Sequence, residues 1–390
     1  MCGKKFNPAA MFLFSHLRIA SVGCEVLEFT EFYERDALAV VGGAEHLMEV
    51  CLVRVETSDG EVGFGEAIGY GSPESVEVTV NSVLNRIVKG EESTNIWHLW
   101  DKMYRATFRL GRRGIIVSAM SGVDIALWDL AGKEFGAPIH KLLGGNTRRI
   151  KGYITGGYYR PEKDIPRLIE EVEGYVRSGF NVVKIKVGGL SVEEDLKRLS
   201  ALRERFGDGL GIAVDANNVY DFNQALRMGR GLERLGILFF EEPISTDYPE
   251  LSTRLAEQLD IPIAGYETAF TVHEFREFIS RYAVDIVQAD AAWNGGITEM
   301  LRIGVLARSY GLPLIPHYSA GGIGFVASLH TALTIDSPMI EYHLRPNPLR
   351  EALAGDAIRH SDGFFEPPTK PGLGITMRED EVKRFRRARR

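Results

Sequence analysis

Cysteine is scarce in this 390-residue sequence: Cys2, Cys24 and Cys51 are scattered, odd in number, and in none of the spacings that grip a metal. Such a set excludes a disulfide scaffold and a cysteine-ligated zinc site, and it suits small buried hydrophobes in a reducing cytoplasm. No apolar run approaches the length that crosses a bilayer, which argues against a membrane protein. Positive charge is outnumbered as well. The 46 Lys and Arg against 53 Asp and Glu leave a net charge of -7, a balance that disfavours non-specific nucleic-acid binding. The basic end "KRFRRARR" reads as a solvated helix end, where cations are favoured by the helix dipole. Lysine itself is missing from the whole stretch between Lys197 and Lys370.

What is present is an ordinary globular composition, 45% hydrophobic and 25% charged, with length enough for more than one domain. Residues 1–14 form a short apolar start without a cleavage site and are expected to be a loose tail. From 15 to 145 the pattern is α+β. Two alternating runs flank Asp59-Gly60, a good hairpin turn, and three helical patterns follow: "SPESVEVTVNSVLNRIVKG", "TNIWHLWDKMYRAT" and "SAMSGVDIALWDLAGKEFG". Gly136 stands where a C-terminal cap belongs. From 146 to 355 eight short apolar runs alternate with amphipathic stretches: "KGYITGG", "NVVKIKV", "LGIAVDAN", "ILFFEEP", "IPIAGYE", "DIVQAD", "LPLIPHY" and "PMIEYH". Eight βα-type units are the number that closes a barrel. The fold class is therefore α/β, a TIM-like barrel behind an N-terminal α+β domain, with 356–390 as a C-terminal segment.

The ends of these runs carry the chemistry. From the second run onward each ends in an ionisable residue, Lys184 and Lys186, then Asp215, Glu241, Glu267, Asp290, His317 and Glu341, spaced by 23 to 29 residues. In such a barrel the strand ends surround one mouth, where active sites form. Lys184 and Lys186 share a strand face, and two buried ammonium groups are tolerated only beside anions or with one of them deprotonated. Asp215, Glu241 and Glu267 end consecutive strands, so three carboxylates crowd one arc of the rim. They repel one another unless a cation lies among them, and oxygen-only ligands favour Mg²⁺, with Mn²⁺ as a substitute. Glu242 is the alternative ligand to Glu241, which the strand phase favours. Lys186, nearer the mouth, is then a candidate base, with Lys184 kept charged to hold a substrate carboxylate. Asp290 and His317 end neighbouring strands, and the carboxylate can hold one ring nitrogen while the other acts as a second acid/base. Glu341 is either a protonated acid that stabilises developing charge or a salt-bridged rim acid.

These residues resemble the enolase superfamily, and within it the mandelate racemase subgroup. The matching stretches are "KIK", "VDAN", "FFEEP", "AGYE", "QAD" with "PHY", and "IEYH". The resemblance implies a (β/α)₇β barrel with an N-terminal α+β capping domain, Mg²⁺, and self-association into a homo-oligomer. By the same similarity the cap segments around "VVGGAEH" and "IGYGSPES" select substrate and "KPGLGI" returns to the cap. Muconate-lactonizing and dipeptide-epimerase relatives carry an essential lysine at the end of the sixth strand. Here that position reads "QADAAWNGG", so the group opposing Lys186 is His317.

A metal and two flanking bases suit removal of the proton α to a carboxylate through an enediolate. Loss of a β-hydroxyl then gives a 2-keto-3-deoxy acid, and reprotonation from the far face gives inversion instead. Asn217, Asn218, Tyr158 and Ser319 make the mouth rich in amides and hydroxyls, which fits an acid sugar, aldonate or aldarate, and hence a dehydratase. Asn217, Tyr70, Tyr158 and Tyr318 are the candidate substrate contacts. A racemase or epimerase is the runner-up, and a non-catalytic metal-containing binding protein is the reading from another class.

Overall fold

The computed structural model describes residues 17–31, 46–159, 164–319 and 321–387. The expected tail at 1–14 and all of "VVGGAEH" except its last residue lie outside the described residues. Strands β1 (Ile19–Glu31), β2 (His46–Thr57) and β3 (Val62–Ala67) form an antiparallel sheet in that order. The β2–β3 turn is the one expected: Gly60 adopts φ +90°, a conformation natural to glycine, and its N–H donates to the Thr57 carbonyl at 3.0 Å. The free edge of β1 is covered by a helical segment, where Asn81 bonds both backbone groups of Cys24 at 2.7 and 3.1 Å and Asn85 accepts from the Val22 N–H at 2.9 Å.

The helix Ile115–Glu134 lies across this sheet. Its 20 residues, at mean hydropathy 1.5, are long and apolar enough to cross a membrane by length and composition, which the scan for apolar runs passed over. Its place is inside the protein. A Cβ on Gly63 would lie 2.2 Å from the Ala126 carbonyl oxygen, and one on Gly65 would lie 1.8 Å from that of Gly122, so only glycine lets strand and helix approach this closely. Its two buried aspartates are used as ties. Asp129 accepts from the N–H groups of Phe64 and Leu373 at 3.0 and 2.9 Å, joining sheet, helix and C-terminal segment. Asp124 accepts from the Thr298 N–H and hydroxyl at 2.9 and 2.6 Å, joining the cap to a barrel helix.

The barrel strands are β4 (Ile150–Gly156), β5 (Val182–Lys186), β6 (Gly211–Asp215), β7 (Phe240–Glu241), β8 (Ile263–Gly265), β9 (Ile286–Val287) and β10 (Met339–Tyr342). All neighbours from β4 to β9 are parallel. The seventh run is represented by the bridge of Leu314 to Val287, and β10 closes the ring by pairing parallel with β4. A helix follows each of the first seven strands and none separates β10 from closure, which is the expected (β/α)₇β order. The short hairpin β11 (His360–Ser361) and β12 (Phe364–Phe365) then packs onto the start of β4 before the chain returns to the cap.

Burial raises the Asp124 carboxyl from 3.8 to about 7, against the hydrogen bonds from Thr298. Below pH 4 the group is protonated in folded and unfolded chains alike, and between about pH 4 and 7 only the unfolded chain ionises, so this site loses stability as pH rises. Asp124→Asn has no proton to lose. Its unfolding free energy relative to wild type should therefore climb between pH 5 and pH 8, by an amount on the order of a few kcal/mol at most, and a flat difference would count against the buried acid.

Candidate active site

Five consecutive buried positions make β5, and alternation sends Lys184 and Lys186 to the barrel interior. Lys184 is fully buried, with Nζ 2.6 Å from Glu241, 2.9 Å from Glu341 and 3.7 Å from Asp215. Burial alone would lower its pKa, but Glu241 and Glu341 hold it well above the ordinary lysine value, so Lys184 is a fixed cation. Lys186 lies one step nearer the mouth. It donates to Asp215 Oδ2 at 2.5 Å and Asn217 Oδ1 at 2.8 Å. Asp215 outweighs the cost of burial, and Lys186 is likewise held above its ordinary value, opposite to what a base requires. A cation sharing Asp215 would compete for the same carboxylate and push the lysine the other way.

The register of β5, β6 and β7 lines up Lys186, Asp215 and Glu241 on adjacent strand ends, with Glu267 two residues past β8. Each of the three acids is turned to a cationic side chain, Asp215 to Lys186, Glu241 to Lys184, and Glu267 to His317. Among the described residues no three such side chains already converge on one point, so the expected clustering holds for the backbone positions and not for these rotamers. The charge balance is the informative feature. Among the described residues, Asp215, Glu241, Glu242, Glu267, Asp290 and Glu341 share the mouth with Lys184, Lys186 and His317, with Arg345 farther out against Tyr158. Burial, with Asp215 and Glu341 adding to it, pushes Glu241 up to about 8 despite Lys184. A divalent cation held by oxygen would relieve this surplus, so the donor set fits Mg²⁺ or Mn²⁺. Glu242 is engaged elsewhere, accepting from Asn218 Nδ2 at 2.6 Å and Thr268 Oγ1 at 2.8 Å, as its opposite phase requires.

On the far side, His317 Nδ1 lies 3.0 Å from Asp290 Oδ2, and Nε2 faces Glu267, with Glu341 at 3.9 Å. Burial would lower the imidazole, yet Glu267, Glu341 and Asp290 hold it well above its ordinary value. Asp290 is itself fixed by the Ala292 N–H at 2.8 Å, and its own N–H donates to Asn294 at 2.5 Å. Glu267 bridges the two sides, paired with His317 while its charge reaches Lys186.

Glu341 departs from one of its two expected states. Burial favours the neutral acid, but Lys184, His317 and His343 pull it well below the carboxylate range, so here it is an ionised, salt-bridged group. The four candidate substrate contacts also divide. Asn217 serves Lys186 directly. Tyr158 places its ring 5.4 Å from Lys186 and 4.2 Å from the Arg345 guanidinium. More than half of Tyr70 is exposed, its ring stands 4.8 Å from that of Trp293, and burial with the charges of Glu267 and Asp290 pushes its hydroxyl well above the ordinary value. Tyr318 is a correction: it is buried in an aromatic cluster, 5.2 Å from Phe325 and 5.8 Å from Tyr342, and is no rim residue.

Several partners of the site were not among the residues expected from the sequence. Gln288 donates to Glu241 Oε2 at 2.7 Å, Tyr153 donates to Glu341 Oε2 at 3.3 Å, and Thr155 donates to Glu341 Oε1. Glu66, at the end of β3 in the cap, accepts from the N–H groups of Gly321, Ile323 and Gly324 at 2.7, 3.1 and 3.1 Å, holding the loop that follows His317. Gln288 stands two positions before Asp290 in "DIVQAD", and that shared phase was the available signal.

Residues 29–144 match the family described as mandelate racemase / muconate lactonizing enzyme, N-terminal domain, and residues 167–381 match enolase C-terminal domain-like. The arabinonate dehydratase of Saccharolobus solfataricus is 53% identical over 353 residues, 90% of this chain and 95% of its own. A D-galactonate dehydratase of Xanthomonas oryzae pv. oryzae is 32% identical, over 85% of this chain and 90% of its own. The crystal structure of a racemase from Streptomyces coelicolor with bound magnesium superposes with a TM-score of 0.85 at 26% identity, covering 95% of this chain and all of that one.

Titration calorimetry with Mg²⁺ separates the two glutamates of "FFEEP". Glu241→Gln and Glu267→Gln should each weaken binding at least about tenfold, while Glu242→Gln changes it by less than about threefold; the reverse order would move the ligand to Glu242.

Proposed function

Because the chain belongs to the enolase superfamily, on its mandelate racemase side, we propose that it is a hydro-lyase that dehydrates an acid sugar, an aldonate foremost, to a 2-keto-3-deoxy acid. The observation that supports this reading is that Lys186, bonded to Asp215, and the Asp290-held His317, paired with Glu267, both adjoin the carboxylate cluster and are the candidate proton-transfer groups. The likeness to dehydratases of arabinonate and galactonate supports the acid-sugar class.

Asp215, Glu241 and Glu267 would hold a divalent cation, Mg²⁺ by the hardness of the ligands, which when bound supplies positive charge to a substrate carboxylate and so acidifies the adjacent C–H bond. One of the pair Lys186 and His317 takes the α-proton, and the other gives a proton to the β-hydroxyl as the C–O bond breaks and water leaves. The resulting enol gains a proton at C3 and loses the one on its C2 hydroxyl to become the keto acid, so atoms and charge balance. Lys184 stays charged throughout and offsets the negative charge that develops. Asn217 orients the Lys186 ammonium, and Asp290 fixes the His317 ring so that Nε2 faces the mouth. A small-molecule carboxylate is thus the partner. Self-association and a cytoplasmic setting belong to the same reading, and the free, buried Cys24 and Cys51 support a reducing compartment.

The test is incubation with a set of aldonates and aldarates and Mg²⁺, with keto-acid formation and α-proton exchange both followed. Keto acid should form, and Lys186→Ala and His317→Ala should each lower kcat by about 10²–10⁴-fold. Inversion without water loss would assign a racemase or epimerase, and neither exchange nor product with any of these acids would leave a binding protein.

A further inference from the structure

Of the basic C-terminal stretch, Lys383 and Arg384 do close a short exposed helix, but Arg386 and Arg387 leave it. Leu27 bridges Arg386, the Arg387 N–H donates to the Val26 carbonyl at 3.1 Å, and Arg386 pairs with Glu25 at 2.6 Å, so this stretch lies along the edge of β1. The Arg387 guanidinium is largely covered, and its three nitrogens meet three carboxylates, Glu28 of β1, Glu49 of β2 and Glu74 of the helix Pro73–Val78. Three acids from separate elements are gathered on one fork, each on its own nitrogen, and the planar guanidinium fixes their directions in a way a freely rotating ammonium does not.

Two of those acids flank the loop from Ile68 to Ser72. Glu49 also accepts from the Gly71 N–H at 3.2 Å through its other oxygen, and Glu74 stands in the first turn after the loop. Within the loop Tyr70 and Gly71 adopt φ +37° and +79°, a left-handed pair that costs a tyrosine free energy and needs an outside hold. The ring of that strained residue stands edge-on to Trp293 at 4.8 Å, three positions past Asp290, and the charges of Glu267 and Asp290 reach its hydroxyl. A continuous set of contacts therefore runs from the C-terminus through Glu49 and Gly71 to the mouth.

We propose that Arg387 is a positioning residue for substrate, a strap whose grip on Glu49 and Glu74 keeps Tyr70 in place at the barrel mouth. The proposal rests on the acid-sugar reading only for the identity of the substrate. Without the guanidinium the three carboxylates repel one another, the Gly71 hydrogen bond weakens, and Tyr70 samples conformations that leave the mouth.

The experiment uses full-length Arg387→Ala, with Glu49→Gln as a second variant that keeps Arg387 on Glu28 and Glu74 and weakens both its pair with Glu49 and the Gly71 bond. Hydrogen exchange of the free protein is the readout independent of any substrate. Amides 69–72 should exchange at least about tenfold faster in both variants, with barrel-strand amides unchanged. With the aldonate turned over by wild type, KM should rise about five- to tenfold with kcat within about twofold, and Arg387→Ala should add nothing to KM in a Tyr70→Phe background. Unchanged exchange at 69–72 in folded variants overturns the proposal, as does an effect on KM that adds fully to that of Tyr70→Phe. A failure of all aldonates to react leaves the exchange result standing, so the loss of the function reading and the loss of the strap are told apart.

Discussion

Charge buried at the strand ends of the barrel has to be balanced inside the barrel, and the site follows from that constraint. Lys184, at the bottom, is surrounded by Glu241, Glu341 and Asp215 and cannot leave or neutralise without stranding them. Lys186 and His317 sit higher, each tied to one acid that a cation would also seek, Asp215 and Glu267. The carboxylates outnumber their partners, and Glu241 is pushed up to about 8 as a result. A divalent ion and a substrate carboxylate are the two charges that such a mouth can accept together. Under the proposed function, their entry would free Lys186 and His317 from Asp215 and Glu267 for proton transfer.

The cap contributes geometry more than charge. The tie from Asp124 to Thr298 and that from Glu66 to the loop after His317 cross from cap to barrel through hydrogen bonds made by buried carboxylates. Both therefore couple the relative placement of the two parts to the polar groups at the rim. Tyr70 enters from the same side, on a loop whose backbone the local sequence does not favour. Under the proposed function, Tyr70 would bring the cap to the mouth while the barrel would supply Lys186, Asp290 and His317, so that substrate preference could vary with the reacting groups kept in place.

Much of the barrel was legible because its signal is repetitive. Short apolar runs ending in Lys, Asp, Glu or His at one phase predict both the strand count and the rim, and the geometry places Asp215, Glu241, Asp290, His317 and Glu341 around one buried interior. What failed did so for local reasons. Tyr318 follows His317 directly, so alternation sends it to the opposite side, into Phe325 and Tyr342. Gln288, Tyr153 and Thr155 share the inward phase but carry no charge, and a search for ionisable groups passes them by. The apolar helix Ile115–Glu134 is interrupted by Asp124, Asp129 and Lys133, which mask its length in a simple scan. Arg387 was unreadable in principle, since Glu28, Glu49 and Glu74 lie 359, 338 and 313 residues away. The protonation of Glu341 depends likewise on distant Lys184 and His317, and no sequence interval reports it.

The central claim is that the surplus of carboxylates positions one metal ion and, through it, one acid between two opposed proton-transfer groups. Crystals grown with Mn²⁺ and an unreactive hydroxy-acid analogue test it most directly by anomalous scattering. The account predicts a single manganese among Asp215, Glu241 and Glu267, with the α-carbon of the analogue between Lys186 Nζ and His317 Nε2 and within reach of both. Manganese bound at any other place, or an α-carbon approached by both groups from the same face, would contradict it.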